Sequence, residues 1–168
     1  SGKKLHKLSD DPTAASDVVR IQAERNQTSQ YLSNLSNGKA RLDFADTTLQ
    51  GVQTMVERMR SLALLSMSNP ATAGTQTAEV SGLRDQLMSA AKSAFDGHFI
   101  FAGSSVDNAP YVQNSAGDVA YTGDGVATKL QAGRGTQLQV MLPGNEVFSG
   151  AVDIFKVTKD LEIGRAHV

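Results

Sequence analysis

The chain has 168 residues, with 16 basic and 17 acidic side chains, a formal net charge of −1 and no cysteine. The charge balance argues against nucleic acid or an anionic membrane surface as a partner, and the lack of cysteine excludes disulfides and thiol chemistry. The apolar fraction of 40% suffices for a packed core, yet no apolar run is long enough for a membrane span. Because the sequence begins without Met and without an apolar signal region, we expect its natural N-terminus to lie upstream.

The first predicted element is a helix between two prolines. Pro12, preceded by an acidic pair, indicates its first turn, and Pro70 sets its end near Ser68. Gly38 and Gly51 lie inside, but a glycine in a helix costs only about 1 kcal/mol relative to alanine. Since the apolar period continues across Gly38, we predict one unbroken helix, about 85 Å long. A globule of this chain length has a diameter of about 40 Å, so the helix predicts a rod.

Apolar residues repeat every seven positions along this helix, as in coiled coils and helix bundles. The stripe shifts sideways between the two halves, which indicates that different partners cover them. In an isolated globule such a stripe would be core, but the length of the helix favours a seam between helices or subunits. The positions predicted to pack helices and drive assembly are Leu35, Leu42, Ala45, Leu49, Val52, Val56 and Met59.

A second helix is predicted after the Asn69-Pro70 break. Its apolar positions follow three-and-four spacing from about Thr75 to Phe95, with Thr75 or Thr77 as the cap and Gly97 as the stop. Because the connection is short, we expect an antiparallel hairpin with the first helix.

From residue 98 the pattern changes to short strands and turns. The predicted strands cover residues 98–102, 119–122, 128–132 and 137–142, and the predicted turns cover 107–110, 123–125, 133–135 and 143–145. The Gly-Asp-Gly turn is expected to join the second and third strands as a hairpin. Some forty residues are too few for an independent core, so we expect this β unit to lean on the helices.

A last helix is predicted to begin after Asp153, its cap, and to run from Ile154 to Leu161. The residues after it have no apolar period, and one back-translation of them spells a common sequencing adapter, so we predict that they are foreign. The predicted fold is mainly α, an elongated long-helix hairpin with a small antiparallel β unit. Its parts are a helical rod (1–107, with a β excursion at 98–102), the β unit (108–150), the start of a returning helix (151–161) and a non-native tail (162–168).

No catalytic, cofactor-binding or metal site is predicted. The histidines His6, His98 and His167 are far apart, and none has a second ligand at helical spacing. The G-x-G pairs at 123–125 and 133–135 lie between predicted strands, whereas a dinucleotide site needs a strand before and a helix after. The long apolar stripe is therefore the predicted functional feature.

Several segments resemble the flagellin-like axial proteins of bacterial flagella. Those that resemble the helices of this family are 1–4, 9–12, 14–15, 43–49 and 58–63. Those that resemble its hook–filament junction branch are 97–104, 110–111, 121–125 and 140–148, and residues 153–155 resemble the start of the returning C-terminal helix. The helical segments do not separate the junction branch from flagellin; the β-region segments favour the junction branch.

This resemblance implies a non-enzymatic structural protein of the extracellular flagellum, exported by a type III apparatus without a cleaved signal. It implies an adaptor ring between hook and filament, with hook-associated protein 1, flagellin, further copies of itself and an export chaperone as partners, and no cofactor, nucleic acid or membrane. The terminal helices of the family would lie before Ser1 and after Leu161. The alternatives are flagellin itself or, from another class, a coiled-coil binding module; an enzyme is the least supported.

Overall fold

A computed structural model describes residues 12–68, 73–141 and 143–166. In chain order its elements are α1 (Pro12–Ser68), α2 (Ala73–Ala91), β1 (Ala94–Phe95), β2 (His98–Phe99), β3 (Tyr111–Gln113), β4 (Val119–Tyr121), β5 (Lys129–Gly133), β6 (Thr136–Gln139), α3 (Gly144–Phe148) and α4 (Ile154–Ala166). The predicted fold class, mainly α with a long helix and small antiparallel β elements, is confirmed. None of the helices in these ranges combines the length and hydropathy that a membrane crossing needs.

The long helix α1 is continuous over 57 residues, so it reaches about 85 Å. It does not break at Gly38, where the β5–β6 hairpin region contacts the helix. A Cβ built on Gly38 would stand 3.0 Å from Val140 Cγ1 and 3.2 Å from Leu130 Cδ1. A Cβ on Gly51, by contrast, would meet no atom within 4 Å. The glycine that sequence alone marks as a weak point is therefore a position where the hairpin region approaches α1 closely.

The second helix packs against the C-terminal half of α1, and Arg58 Nε donates to Glu79 Oε1 across the pair at 2.6 Å. Its predicted limits are wrong at both ends. It begins at Ala73, so Thr75 and Thr77 lie inside the helix rather than at its cap. It ends at Ala91.

The predicted helix stop at Gly97 is instead the turn of the β1–β2 hairpin. Asp96 and Gly97 both have positive φ, 51° and 78°, as a tight two-residue turn requires. Phe95 therefore pairs with His98 in the hairpin instead of ending α2. The predicted strand over 98–102 is correspondingly too long, because β2 ends at Phe99.

Within the described residues the strands form separate two-stranded antiparallel sheets, β1–β2, β3–β4 and β5–β6. The predicted strands at 119–122 and 128–132 match β4 and β5 to within one residue at each end. They do not pair with each other, however, because β4 pairs with β3, which the sequence pattern missed. The 123–125 turn is therefore not a hairpin turn; Asp124 Oδ1 accepts from the backbone N–H groups of Ser104 and Val126, at 2.9 and 3.0 Å.

The region after β5 also differs from the prediction. The β6 strand ends at Gln139, short of the expected 142, and Leu142 lies outside the described residues. The predicted turn at 143–145 opens the short helix α3, which begins at Gly144. A side chain at Gly144 would be crowded, since its Cβ would lie 2.9 Å from both Phe101 O and Tyr111 Oη.

The core is one cluster that joins the second half of α1, α2, the β segments and α4. Its centre is aromatic: the Phe101 and Phe148 rings meet edge to face at 5.1 Å, and Tyr111 and Phe155 lie 5.1 Å apart. The helices contribute buried aliphatic side chains to the same cluster, namely Val52, Met59, Leu87 and Ala91. The β segments thus rest on the helices and share their core.

The last helix begins where the sequence predicts, with Asp153 as its cap. Asp153 Oδ1 accepts from the Lys156 backbone N–H at 3.0 Å. The helix does not end at Leu161 but continues to Ala166. Residues predicted to be foreign therefore extend α4 in the structure, and Glu162 pairs with Arg84 of α2 at 3.1 Å. Their foreign origin stays a prediction.

Candidate assembly surface

The seven predicted packing positions on α1 divide into covered and open residues. Val52 and Met59 are buried in the core of the chain, at 6% and 2% exposure. Ala45 and Leu49 are half-buried against the same core. The others remain open, namely Leu35 at 39%, Leu42 at 46% and Val56 at 36% exposure. Some residues of this stripe therefore belong to the core of the chain, and others form exposed apolar surface.

Two open members of the stripe, Leu35 and Leu42, line a groove between α1 and the β5–β6 hairpin. The wider part of this groove has a volume of about 390 Å³. Its apolar lining consists of Leu35 and Leu42 from α1 and Leu130, Leu138 and Val140 from the hairpin region. A second hollow of about 200 Å³ adjoins it and shares Leu42 and Val140. We refer to both together as the α1 groove.

Polar contacts on the N-terminal side of Gly38 hold the hairpin over α1. Asn34 Nδ2 donates to the backbone oxygen of Gln131 at 3.0 Å, and Arg134 Nε donates to Gln27 Oε1 at 3.4 Å. On the open rim of the groove, Lys39 Nζ lies 2.5 Å from Asp43 Oδ2. These contacts fix the hairpin along the helix and leave the rim with a paired, neutral charge.

The N-terminal half of α1 has little cover from the rest of the chain. Every side chain from Ser16 to Gln30 is exposed. Three aliphatic residues of this half, which we call the α1 ridge, are Val18, Ile21 and Leu32, with exposures of 42%, 56% and 64%. The stretch from Asn26 to Gly38 contains no charged residue. Only Leu32 of the ridge lies in this charge-free stretch, because Val18 and Ile21 stand among Asp17, Arg20, Glu24 and Arg25.

Away from this surface, ion pairs join α4 to α2 and to the β3–β4 turn. We call their four residues, Arg84, Asp118, Lys159 and Glu162, the charged clasp. The Arg84 side chain is only 12% exposed, donates to the backbone oxygen of Gly117 and pairs with Glu162. Lys159 of α4 donates to Asp118 in the turn, and this hydrogen bond lowers the pKa of the Asp118 carboxyl. The clasp fastens elements of one chain together, and Gly117, Asp118 and Lys159 also line a hollow of about 320 Å³ beside α4.

The titratable groups of the described ranges do not converge on a reactive centre. Those ranges contain no cluster of three or more His, Asp or Glu residues able to hold a metal ion. His98 Nδ1 lies 3.1 Å from Asp107 Oδ1 at the surface, whereas His6 and His167 fall outside the described residues. Burial raises the pKa of the Tyr111 phenol, but Tyr111 lies in the aromatic core.

Sequence reasoning identified the α1 half of the groove and missed most of the other half. Leu35 and Leu42 follow from the seven-residue repeat, which is visible in sequence. Leu130 and Val140 reach the same groove through the docking of the hairpin on Gly38. The sequence does contain one signal for this contact, namely Gly38. A glycine inside a helix whose apolar period continues can indicate that a neighbouring element approaches the helix closely there.

Comparison with known proteins now assigns a class. The profile of the family described as the bacterial flagellin N-terminal helical region matches residues 1–106, more than half of the chain. The chain belongs to this family, and the flagellin-like resemblance read from its motifs is confirmed.

Its curated relatives are hook-associated proteins. Flagellar hook-associated protein 3 of Escherichia coli K12 is 27% identical over 155 residues, covering 88% of this chain and 47% of the relative. The protein of the same name from Salmonella typhimurium LT2 is 30% identical over 122 residues, covering 70% of this chain and 38% of the relative. The chain thus spans about half the length of these relatives, or less.

Solved structures show the same fold. A protein assigned as a flagellar hook-associated protein from Vibrio parahaemolyticus superposes with a TM-score of 0.78 at 24% identity, covering 93% of this chain and 74% of that one. FlgL of Xanthomonas campestris superposes with a TM-score of 0.69 at 28% identity, covering 74% of this chain and 42% of that one. The junction protein FlgL of Legionella pneumophila gives 0.66 at 22% identity, covering 82% of this chain and 42% of that one.

Proposed function

We propose that this chain is a non-enzymatic structural subunit of the bacterial flagellum that packs against neighbouring subunits through α1. The observation that carries the proposal is the open apolar stripe of a 57-residue helix, with Leu35, Leu42 and Val56 uncovered in the single chain. Membership of the flagellin N-terminal helical family supports it.

The energetics of the helix favour a packed assembly over an isolated chain. Propagation of a helix in water is close to neutral per residue, so helix stability depends on tertiary packing. Full burial of one Leu, Val or Ile side chain contributes about 1.5–3 kcal/mol. The exposed N-terminal half of α1 gains this stabilisation when a neighbouring subunit or a further segment of the same protein covers it.

Within the flagellum, we place the subunit at the junction between hook and filament, outside the cell. The names of the two curated relatives and the β-region motifs support this position over that of flagellin. The partners that follow are hook-associated protein 1, flagellin, other copies of the chain in a ring and an export chaperone. Each of these contacts is part of the proposal.

A segment exchange tests the junction role. Residues 12–161 replace the matching segment of hook-associated protein 3 in a motile Salmonella strain that lacks its own copy of that protein. We expect cells that retain filaments on their hooks, counted by electron microscopy. If the chimera is secreted but stays soluble in the medium, and the hooks shed their filaments, the junction role is overturned. The same chimera with Leu42→Asp is the matched variant and should retain fewer filaments.

Flagellin remains the second candidate, because the matching profile describes the N-terminal region of flagellin. The same exchange into flagellin, in a strain that lacks flagellin, separates the two. Long filaments built from the flagellin chimera, with no rescue by the junction chimera, would assign the chain to the filament instead.

A further inference from the structure

We propose that the Asn37–Gly38 step of α1 is a latent modification site, at which Asn37 converts to isoaspartate when the β5–β6 hairpin leaves the helix. This site is independent of the role proposed above, because it concerns the covalent chemistry of a single chain. Asn37 is the only asparagine in the sequence that is followed by glycine. Because glycine has no side chain to hinder attack by its nitrogen, ring closure onto the preceding asparagine is easiest at this step.

The reaction needs only the chain and water. The backbone nitrogen of Gly38 attacks Cγ of Asn37, the new N–Cγ bond replaces the Cγ–Nδ2 bond, and ammonia leaves with the proton of the Gly38 N–H. Water then opens the cyclic imide at Cγ, which gives aspartate, or at the backbone carbonyl carbon of Asn37, which gives isoaspartate. In isoaspartate the main chain runs through Cβ and Cγ and is one carbon longer.

The helical conformation of α1 prevents this attack. Gly38 lies inside a continuous helix, in which each N–H donates to the carbonyl oxygen four residues earlier. Ring closure requires the ψ angle of Asn37 to leave the helical value of about −42° and breaks that hydrogen bond. The Asn37 side chain itself is exposed and lines a hollow of about 250 Å³ beside the β1–β2 hairpin. Because solvent already reaches the amide, the backbone conformation is what holds the reaction back.

Contacts with the β5–β6 hairpin keep the helix closed at this step. Asparagine and glycine both have low helix propensity, so α1 is intrinsically weak where the two are adjacent. A Cβ built on Gly38 would stand 3.0 Å from Val140 Cγ1, which places the hairpin region directly against the helix backbone. One turn earlier, Asn34 Nδ2 donates to the backbone oxygen of Gln131 at 3.0 Å. Local opening of α1 therefore breaks contacts with the hairpin that stabilise the closed helix.

Isoaspartate at position 37 would make such an opening permanent. Each hydrogen-bonded ring of 13 atoms that spans this position would gain one atom, so the regular helix could not continue through it. The added carbon would also move Leu35 out of register with Leu42, and the apolar stripe would no longer be continuous. The modification thus converts a transient loss of the hairpin contact into a lasting change in α1.

The rate at which Asn37 loses its amide tests the protection by the helix. The full chain is kept at mildly alkaline pH in native buffer and in urea, and conversion of amide to acid at position 37 is followed by peptide mass spectrometry. We expect the loss to be at least about tenfold slower in native buffer, because the folded chain reacts only while α1 is open. Equal rates in the two solutions, or an amide that persists in urea, would overturn the proposal.

Two buried valines separate the effect of the hairpin from that of general stability. Val140→Ala removes the contact with Gly38, whereas Val80→Ala makes the same change in α2, at a position that is 0% exposed. The native rate of each variant is divided by its own rate in urea, with the native buffers adjusted to equal free energies of unfolding. We expect this ratio to be at least about threefold higher in Val140→Ala. Equal ratios would show that amide loss follows global unfolding, and control by the hairpin would be wrong.

A second hairpin variant and a second measurement complete the test. Asn34→Ala removes the hydrogen bond to Gln131 and should raise the same ratio, even if Val140→Ala does not fold. For the effect on the helix, Asn37→Asp is the matched control, because it carries the new charge without the added carbon. Chain that has formed isoaspartate in urea and is then refolded should have a lower helix content by circular dichroism than Asn37→Asp. Equal helix content would show that α1 accommodates the longer main chain, and the lasting change would be wrong.

Discussion

Gly38 of α1 and Val140, which follows β6, approach so closely that a Cβ at position 38 would lie 3.0 Å from Val140 Cγ1. This contact joins a helix residue to one 102 positions later in the sequence. It explains why the longest helix of the chain keeps a residue of low helix propensity at its middle. It also closes the floor of the α1 groove.

The first prediction compares the two glycines inside α1. Gly51→Ala should raise the free energy of unfolding by up to about 1 kcal/mol, because alanine favours the helix and the site is open. Gly38→Ala should lose that gain or reverse it, because Val140 and Leu130 must move to admit the methyl group. Thermal unfolding by circular dichroism measures both. In the Val140→Ala background, Gly38→Ala should recover the gain relative to Val140→Ala alone. Equal stabilisation at both glycines in the original chain would show that the hairpin does not press on Gly38.

The second prediction separates core from surface within one apolar stripe. Val52→Asp places a carboxylate at a 6% exposed position and should destabilise the chain by about 3 kcal/mol or more. Leu42→Asp alters a side chain that is 46% exposed, so its effect on the single chain should stay below about 1 kcal/mol. Denaturant unfolding at low protein concentration gives both values. A large loss of unfolding free energy in Leu42→Asp under those conditions would mean that the single chain buries this side chain.

The third prediction concerns the clasp around Arg84. Glu162→Gln leaves a largely buried guanidinium without its carboxylate and should loosen α4 by about 1–3 kcal/mol. Arg84→Met removes the charge together with its need for a partner, so it should cost less than Glu162→Gln. Hydrogen exchange of the amides in α4 reports the effect. A greater loss of protection in Arg84→Met than in Glu162→Gln would show that the packing of the Arg84 stem, and not its charge, holds α4.

The fourth prediction is that the free energy of unfolding depends on pH in the acidic range. The Ser104 hydroxyl, followed by the backbone N–H groups of Val126 and Ser104, holds the pKa of Asp124 below its ordinary value. A carboxyl whose pKa is lowered by folding stabilises the chain fully above the unfolded-state pKa of about 3.9, and this stabilisation is lost as the pH falls through the folded-state pKa. Urea unfolding should therefore show a loss of stability below about pH 4 that is smaller in Asp124→Asn. The exposed Asp85→Asn is the control and should keep the full acid dependence.

Local signals in the sequence were sufficient for α1. A proline at each end and an apolar period of seven fix the start, the end and the face of this helix, and its length alone indicates a rod. The α4 start could be predicted for the same reason, since Asp153 caps it through a contact three residues away. In both cases the determining interactions are between neighbours in the chain.

The pairing of the short strands could not be predicted in this way. The strands β3 and β4 have three residues each, too few for an alternation pattern to show a register. The Gly-Asp-Gly sequence around Asp124 has the composition of a hairpin turn, but the carboxylate binds a loop twenty residues earlier instead. The open surface of the groove likewise depends on where the hairpin rests, which is settled by contacts such as Asn34 with Gln131, 97 residues apart.

Support for α1 is unequal along its length, and this has a mechanical consequence. The second half is anchored by α2 and the shared core, and the β5–β6 hairpin contacts the first half at Asn34, Gln27 and Glu24. The helix runs on from Glu24 to Pro12, about 18 Å beyond these contacts. A tilt of one degree at Glu24 would therefore swing Pro12 sideways by about 0.3 Å, so the seating of the hairpin on α1 sets the direction of the N-terminal tip of the helix.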